Sequence, residues 1–189
     1  MSAVDPRDPH AVAAAVVGWA SDRFATDVAL VGEPAAVGAG FDSFIHLIEL
    51  RGDGLPDAWR LPLVVRILPS ADRTERAELE AATQRWAADA GYPAPRVHAV
   101  IPPGKLLDLP VQIMERAPGV TMLDALKVKP WRAGAFVDQL AALQLRLHAL
   151  DIRDWPHPSS GAPLTDTRLS LTRRAVRELG DPDLATALE

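Results

Sequence analysis

Residues 62–68 read Pro62-Leu63-Val64-Val65-Arg66-Ile67-Leu68, and a longer run from Thr74 to Ala90 follows, closed by Gly91. The first stretch is apolar and β-branched apart from Arg66, the pattern of a buried strand. The second is Ala-rich with Glu75, Glu78 and Glu80 near its start, where a helix dipole favours acids. Gly91 is the kind of residue that stops a helix. A buried-type strand carrying one cation, followed at once by a long helix with acids in its first turns, is the local order on which the fold reading turns.

Upstream, Asp8-Pro9 opens a helix with a capping carboxylate and a proline at the first helical position. Val12, Val16, Ala20 and Phe24 then share one helical face. Val28 to Val37 is strand-like but interrupted by Gly32 and Pro34, Gly38-Ala39-Gly40 is a turn, and Phe44 to Leu50 is a second strand before a loop at Gly52-Asp53-Gly54. Downstream, Tyr92-Pro93-Ala94-Pro95 forces an extended connector. Val97–Ile101 and Val111–Glu115 read as the last two of five strands, with Pro102-Pro103-Gly104 as a turn between them.

The pattern then changes. Ala117-Pro118-Gly119 reads as a linker, and Thr121 as the cap of a short helix through Leu126. Pro130 starts a long helix with Phe136, Leu140, Leu143, Leu147 and Leu150 at helical spacing, a stripe expected to pack in a core. Trp155 to Leu164 reads as loop, Leu169 to Leu179 as helix stopped by Gly180, and Asp181-Pro182 as a further turn. The expected fold is α+β: a five-stranded antiparallel sheet plus a helix over residues 1–116, then a hinge and helices of an all-α lobe over residues 117–189.

Composition excludes several classes. There are no cysteines among the 189 residues, so disulfides, thiolate metal sites and cysteine nucleophiles are out. Lys and Arg number 20 against 25 Asp and Glu, and the net charge of -5 gives no basic footprint for a phosphate backbone; no nucleic-acid partner is expected. Arg168, Arg173, Arg174 and Arg177 read as a solvated helix face. His10, His46, His98 and His157 show no ligand spacing, so no metal site is assigned to this chain. No run approaches the roughly 18 apolar residues of a membrane span. The apolar stretch Ala11 to Ala20 carries acids at its flank, the wrong sign for a signal peptide. A cytoplasmic protein with no membrane partner is expected.

Five motifs in order resemble the aminoglycoside phosphotransferase family, with its choline-kinase-like relatives in the protein-kinase-like superfamily. Gly38-Ala39-Gly40-Phe41-Asp42-Ser43 resembles its short glycine loop, and Leu63-Val64-Val65-Arg66 its third strand. Glu80 with Gly91-Tyr92-Pro93-Ala94-Pro95 resembles its helix-glycine-proline stretch, and Ile113 to Gly119 its hinge. Leu147-His148-Ala149-Leu150-Asp151 resembles the end of its first long large-lobe helix. The resemblance implies a kinase-like small lobe, ATP or GTP with Mg²⁺, and transfer of the γ-phosphoryl group to a hydroxyl of a small-molecule acceptor.

On that resemblance Gly38, Gly40 and Ser43 would approach the phosphates, Arg66 would bind them, and Glu80 would orient Arg66. Glu78 or Glu75 could take the same role. The C=O of Glu115 and the N–H of Ala117 would meet the base edge, with Met114 at the back of the pocket. Outside this context the two glycines would make a plain hairpin turn and Arg66 an edge-strand surface residue. The chain also departs from the family. Arg66 stands where many members carry Lys. The family's His-Gly-Asp…Asn loop and later metal-binding Asp occur nowhere in the 189 residues. Asp154-Trp155 resembles the metal motif but follows Asp151 too soon to serve as one. No catalytic residue is therefore assigned. The expectation is the N-terminal, nucleotide-binding part of a small-molecule kinase, inactive by itself. The alternatives are a non-catalytic nucleotide- or partner-binding module and a plain interaction domain. Self-association through exposed helical surface is a further expectation.

Overall fold

The computed structural model describes residues 4–40 and 42–156. The expectations on Phe41 and on residues 157–189, including the helix Leu169 to Leu179 and its arginines, lie outside the described residues.

Helix α1 spans Pro9–Phe24, and its cap is the expected one: the Asp8 carboxylate accepts from the His10 and Ala11 N–H groups. Two short strands, β1 (Ala29–Leu30) and β4 (Leu50–Arg51), pair with each other. The main sheet holds β2 (Ala35–Gly40), β3 (Ser43–Ile48), β5 (Leu63–Ile67), β6 (Val97–Ile101) and β7 (Val111–Glu115). Its order is β2-β3-β5-β7-β6, with every pair antiparallel. Helix α2 (Thr74–Asp89) sits between β5 and β6 in sequence. Helices α3 (Met122–Val128) and α4 (Ala133–His148) follow β7. This is an α+β fold with a kinase-like small lobe followed by helices, as the sequence predicts.

Four boundaries differ from the sequence reading. Gly38-Ala39-Gly40, expected as a turn, continues the extended backbone and forms the end of β2, because Gly40 still pairs with Ser43. The tract Val28 to Val37 is two strands, because Gly32 takes the left-handed conformation (φ 69°) and Pro34 cannot donate to a ladder. Phe44 to Leu50 also divides: β3 ends at Ile48, and Leu50 turns to pair with Leu30. Pro130 opens a single 3-10 turn, Pro130–Arg132, before α4 begins.

The sheet has two different faces. On one, Leu63, Val65, Ile67, Val111 and Ile113 are fully buried and share a core with Val12, Val16 and Ala20 of α1. Burying each such aliphatic side chain contributes about 1.5–3 kcal/mol. On the other, Ala81 of α2 packs with Val97 and Met114, flanked by Val64 and Val100. Strand alternation puts Arg66 on this α2 face, between Val65 and Ile67 of the opposite one.

After β7 the chain is exposed through residues 116–120. Thr121 then caps α3, accepting from the Asp124 N–H. The expected core stripe of α4 is not met among the described residues. No residue of α4 is buried, Leu140 is 48% exposed, and Phe136 and Leu143 are only half-buried. Arg146 at the end of α4 donates to the Gly91 carbonyl (3.1 Å), and the Trp155 indole N–H to Thr83 Oγ1 (3.3 Å). The two contacts tie the segment after β7 to α2 and to the residues that follow it. No described helix is long and apolar enough to cross a membrane.

Candidate functional site

The centre of the site is the fork of Arg66. Its register places it directly between Ile45 of β3 and Gln112 of β7. Its Nε donates to Ser43 Oγ (3.2 Å). Its Nη1 donates to Glu80 Oε2 (2.7 Å) and to Gln112 Oε1 (3.2 Å). A guanidinium carries five N–H donors. Three are thereby engaged, and those on Nη2 have no partner among the described residues. The side chain is 24% exposed, so a desolvated but reachable cation is held at three points.

Gln112 is the support that the sequence did not reveal. It is 1% exposed, and its Nε2 donates to the Ala77 carbonyl of α2 (2.8 Å) while its Oε1 accepts from Arg66. Nothing in a single strand sequence marks one buried glutamine as a positioning group; only the pairing register of β5 with β7 does.

Glu80 is the acid that the structure brings to Arg66, whereas Glu75 and Glu78 are exposed. Burial alone would raise its pKa. Hydrogen bonds from Arg76 and Arg66, with their charges, outweigh that and hold the carboxyl below its ordinary value of 4.5. Arg76 reaches Glu80 Oε1 from one helical turn away (2.7 Å) and also Asp42 Oδ2 (3.0 Å). Arg73 binds the other oxygen of Asp42. The Arg73 hydrogen bond is the largest reason that Asp42 titrates below its ordinary range. The Arg76-x-x-x-Glu80 spacing is a helical pair visible in sequence; the Asp42 contacts are not.

Gly38 and Gly40 lie in the last residues of β2, where the β2–β3 hairpin ends. Gly40 pairs with Ser43, and the register shifts between Val37 and Gly40, so β2 carries one residue more than β3 there. Gly38 and Gly40 thus border the strand end from which Ser43 reaches Arg66. Beside Arg66 on the same face, Leu47, Val64 and Met114 form a cross-strand apolar row. Met114 is 9% exposed, and Gln84 Nε2 approaches its sulfur at 3.7 Å. Leu47 and Val64 are further apolar candidates that the motif reading passed over.

At the end of β7, Glu115 N–H donates to the Arg96 carbonyl and Arg116 N–H to the Pro62 carbonyl, each at 2.9 Å. Glu115 Oε2 accepts from the Arg96 N–H (3.1 Å). These bonds fix the strand end, and the N–H of exposed Ala117 has no acceptor among the described residues. The structure therefore gathers Ser43, Arg66 and Glu80 by direct bonds. It places Met114 in the neighbouring row, with Glu115 and Ala117 where β7 leaves the sheet.

A family model described as the phosphotransferase enzyme family (APH) matches residues 47–189, more than half of the chain. The chain belongs to the phosphotransferase enzyme family. Arg66, Glu80, Met114, Glu115 and Ala117 all lie inside the matched residues of this phosphotransferase-family chain, while Gly38, Gly40 and Ser43 precede them. No curated protein matches it.

Among the described residues no group of three His, Asp or Glu is placed to hold a metal ion. They thus do not fit the divalent ion that the family implies, and no step is derived through it. Asp154 closes a short 3-10 turn, Ile152–Asp154, next to Trp155.

Proposed function

We propose that this chain provides the nucleoside-triphosphate site of a small-molecule phosphotransferase, delivering the γ-phosphoryl group to a hydroxyl of the acceptor. The observation that carries the reading is Arg66. Three neutral or anionic partners orient its fork, and the Nη2 donors remain for a ligand. A guanidinium N–H makes a strong, charge-assisted bond to a phosphate oxygen, and Arg stays ionised when partly desolvated. Gly38 and Gly40, lacking side chains, let the backbone at the end of β2 come close to further phosphate oxygens. Leu47, Val64 and Met114 offer an apolar wall for a planar base, and the Ala117 N–H and Glu115 C=O offer its edge a donor and an acceptor. ATP or GTP fits this set, with a divalent ion arriving on the phosphates. A cytoplasmic location, where nucleoside triphosphates are held, belongs to the same proposal.

The chemistry of phosphoryl transfer is mostly positioning and charge neutralisation. In this reading Arg66 neutralises phosphate charge, and Glu80 and Gln112 hold it still. No base is assigned, because the family's His-Gly-Asp…Asn pattern is not found in the sequence. That observation supports a second reading, nucleotide binding without turnover.

Thermal denaturation with Mg-ATP, Mg-GTP and adenosine tests the first step. A nucleotide at 100 times its dissociation constant adds about 2.7 kcal/mol, so a dose-dependent rise in melting temperature is expected. Steady-state release of nucleoside diphosphate with hydroxylated acceptors then separates the two readings. An unchanged melting temperature with both nucleotides would remove the nucleotide proposal altogether.

A further inference from the structure

Asp42 lies in the turn between β2 and β3, and its carboxylate is shared by two guanidiniums, Arg73 at the N-cap of α2 and Arg76 within the helix. Arg73 binds Oδ1, and Arg76 binds Oδ2 at 3.0 Å. Arg76 continues to Glu80, Glu80 to Arg66, and Arg66 to Ser43, the residue next to Asp42. The contacts close into a ring that joins the turn, β5 and α2. Each link is charge-assisted or involves a charged donor, and such bonds are directional.

We infer that Asp42 is a positioning residue for phosphate binding: by clasping Arg73 and Arg76 it holds the end of the β2–β3 hairpin against α2, in the geometry in which Ser43 and Glu80 aim Arg66 at one polyphosphate. The inference rests on the nucleotide reading above and deepens it. A hairpin end that carries Gly38 and Gly40 has many conformations, and fixing it beforehand lowers the entropy lost when the ligand binds. The same carboxylate also keeps Arg73 and Arg76 from competing with Arg66 for the phosphates. Asp42 therefore acts on phosphates and not on the base. Its loss should weaken a nucleoside triphosphate and leave a nucleoside alone.

The experiment is calorimetric titration of Mg-ATP and of adenosine into the wild-type chain, Asp42→Asn and Asp42→Glu, with melting temperatures measured in parallel. Asp42→Asn is expected to weaken Mg-ATP roughly five- to tenfold, within the usual range of coupled sites, with adenosine affinity unchanged. Asp42→Glu is expected to restore most of the Mg-ATP affinity. Arg73→Gln combined with Arg76→Gln should mimic Asp42→Asn, and adding Asp42→Asn to that pair should do little more. Mg-ATP affinity that is unchanged or tighter in Asp42→Asn overturns the inference while leaving the nucleotide reading intact. Equal weakening of ATP and adenosine also overturns it, because it would mark a general structural loss. A wild-type chain that binds neither ligand overturns the nucleotide reading and this inference with it.

Discussion

Arg66 Nη1 stands 2.7 Å from Glu80 Oε2, joining a strand of the sheet to the helix that covers one face of it. The two side chains are 24% and 32% exposed, so the pair is shielded from water without being sealed from a ligand. A partly buried cation with a fixed partner contributes modestly to stability and strongly to orientation. That difference sets the first expectation.

Glu80→Gln keeps the shape of the side chain and removes its charge. The fold should lose only about 1 kcal/mol, because Arg66 keeps Ser43 and Gln112. Nucleotide affinity should fall further than stability does. Chemical denaturation and nucleotide titration on the same sample check whether the two separate.

Gln112→Leu removes the buried link between Arg66 and the Ala77 carbonyl. The Ala77 carbonyl keeps its helical donor, so losing the two bonds costs about 1–2 kcal/mol. A loss of this size by urea denaturation, with Mg-ATP binding weakened as well, is the expected result. An unchanged midpoint would mean that Gln112 is filler and not a support.

His98 and Glu80 each contribute a step to the dependence of stability on acid. Burial, aided by Arg85 and Arg96 and opposed by Glu115, keeps the His98 imidazole below its ordinary 6.5. The unfolded chain takes up that proton first. The contribution is therefore full above pH 6.5 and is lost as pH falls through the lowered folded value. Glu80 follows at lower pH. Its pKa is held below 4.5, so its contribution is present above 4.5 and is lost as pH falls through the lowered value. His98→Leu should flatten the first decline in melting temperature, and Glu80→Gln the second.

Two glycines should respond in opposite directions to alanine. A Cβ on Gly52 would stand 2.6 Å from the Asp27 carbonyl oxygen, so backbone must shift, at a cost of about 1–3 kcal/mol. Gly18 lies within α1 with nothing within 4 Å of a new Cβ. Gly18→Ala should stabilise by about 0.8–1 kcal/mol. Thermal melts of the two variants give the signs.

Much of the small lobe is legible in the sequence because its signals are local. The Asp8-Pro9 cap, the apolar runs of β5 and β7, and the acid-rich start and glycine stop of α2 each declare themselves within a few residues. The pairing of Arg66 with Glu80 follows from the family resemblance, and the structure chooses Glu80 over the exposed Glu75 and Glu78. What stayed hidden depends on distant pairing. Gln112 matters because register sets it opposite Arg66. Asp42 matters because a bulged hairpin delivers it to Arg73 and Arg76. The division of Val28 to Val37 was written in Gly32 and Pro34, yet the partner of the first piece, β4, lies some twenty residues on. The stripe on α4 has the spacing of a core helix, and no spacing tells which surface covers it; among the described residues Leu140, Leu145 and Leu147 are exposed.

The most direct test of the account is calorimetric titration of Mg-ATP into the wild-type chain and Arg66→Gln, with adenosine as the control ligand. Loss of a charge-assisted phosphate contact should weaken Mg-ATP about 10- to 100-fold and leave adenosine affinity unchanged. Equal Mg-ATP affinity in the two proteins would show that Arg66 does not hold phosphate, and the site as described here would have to be abandoned.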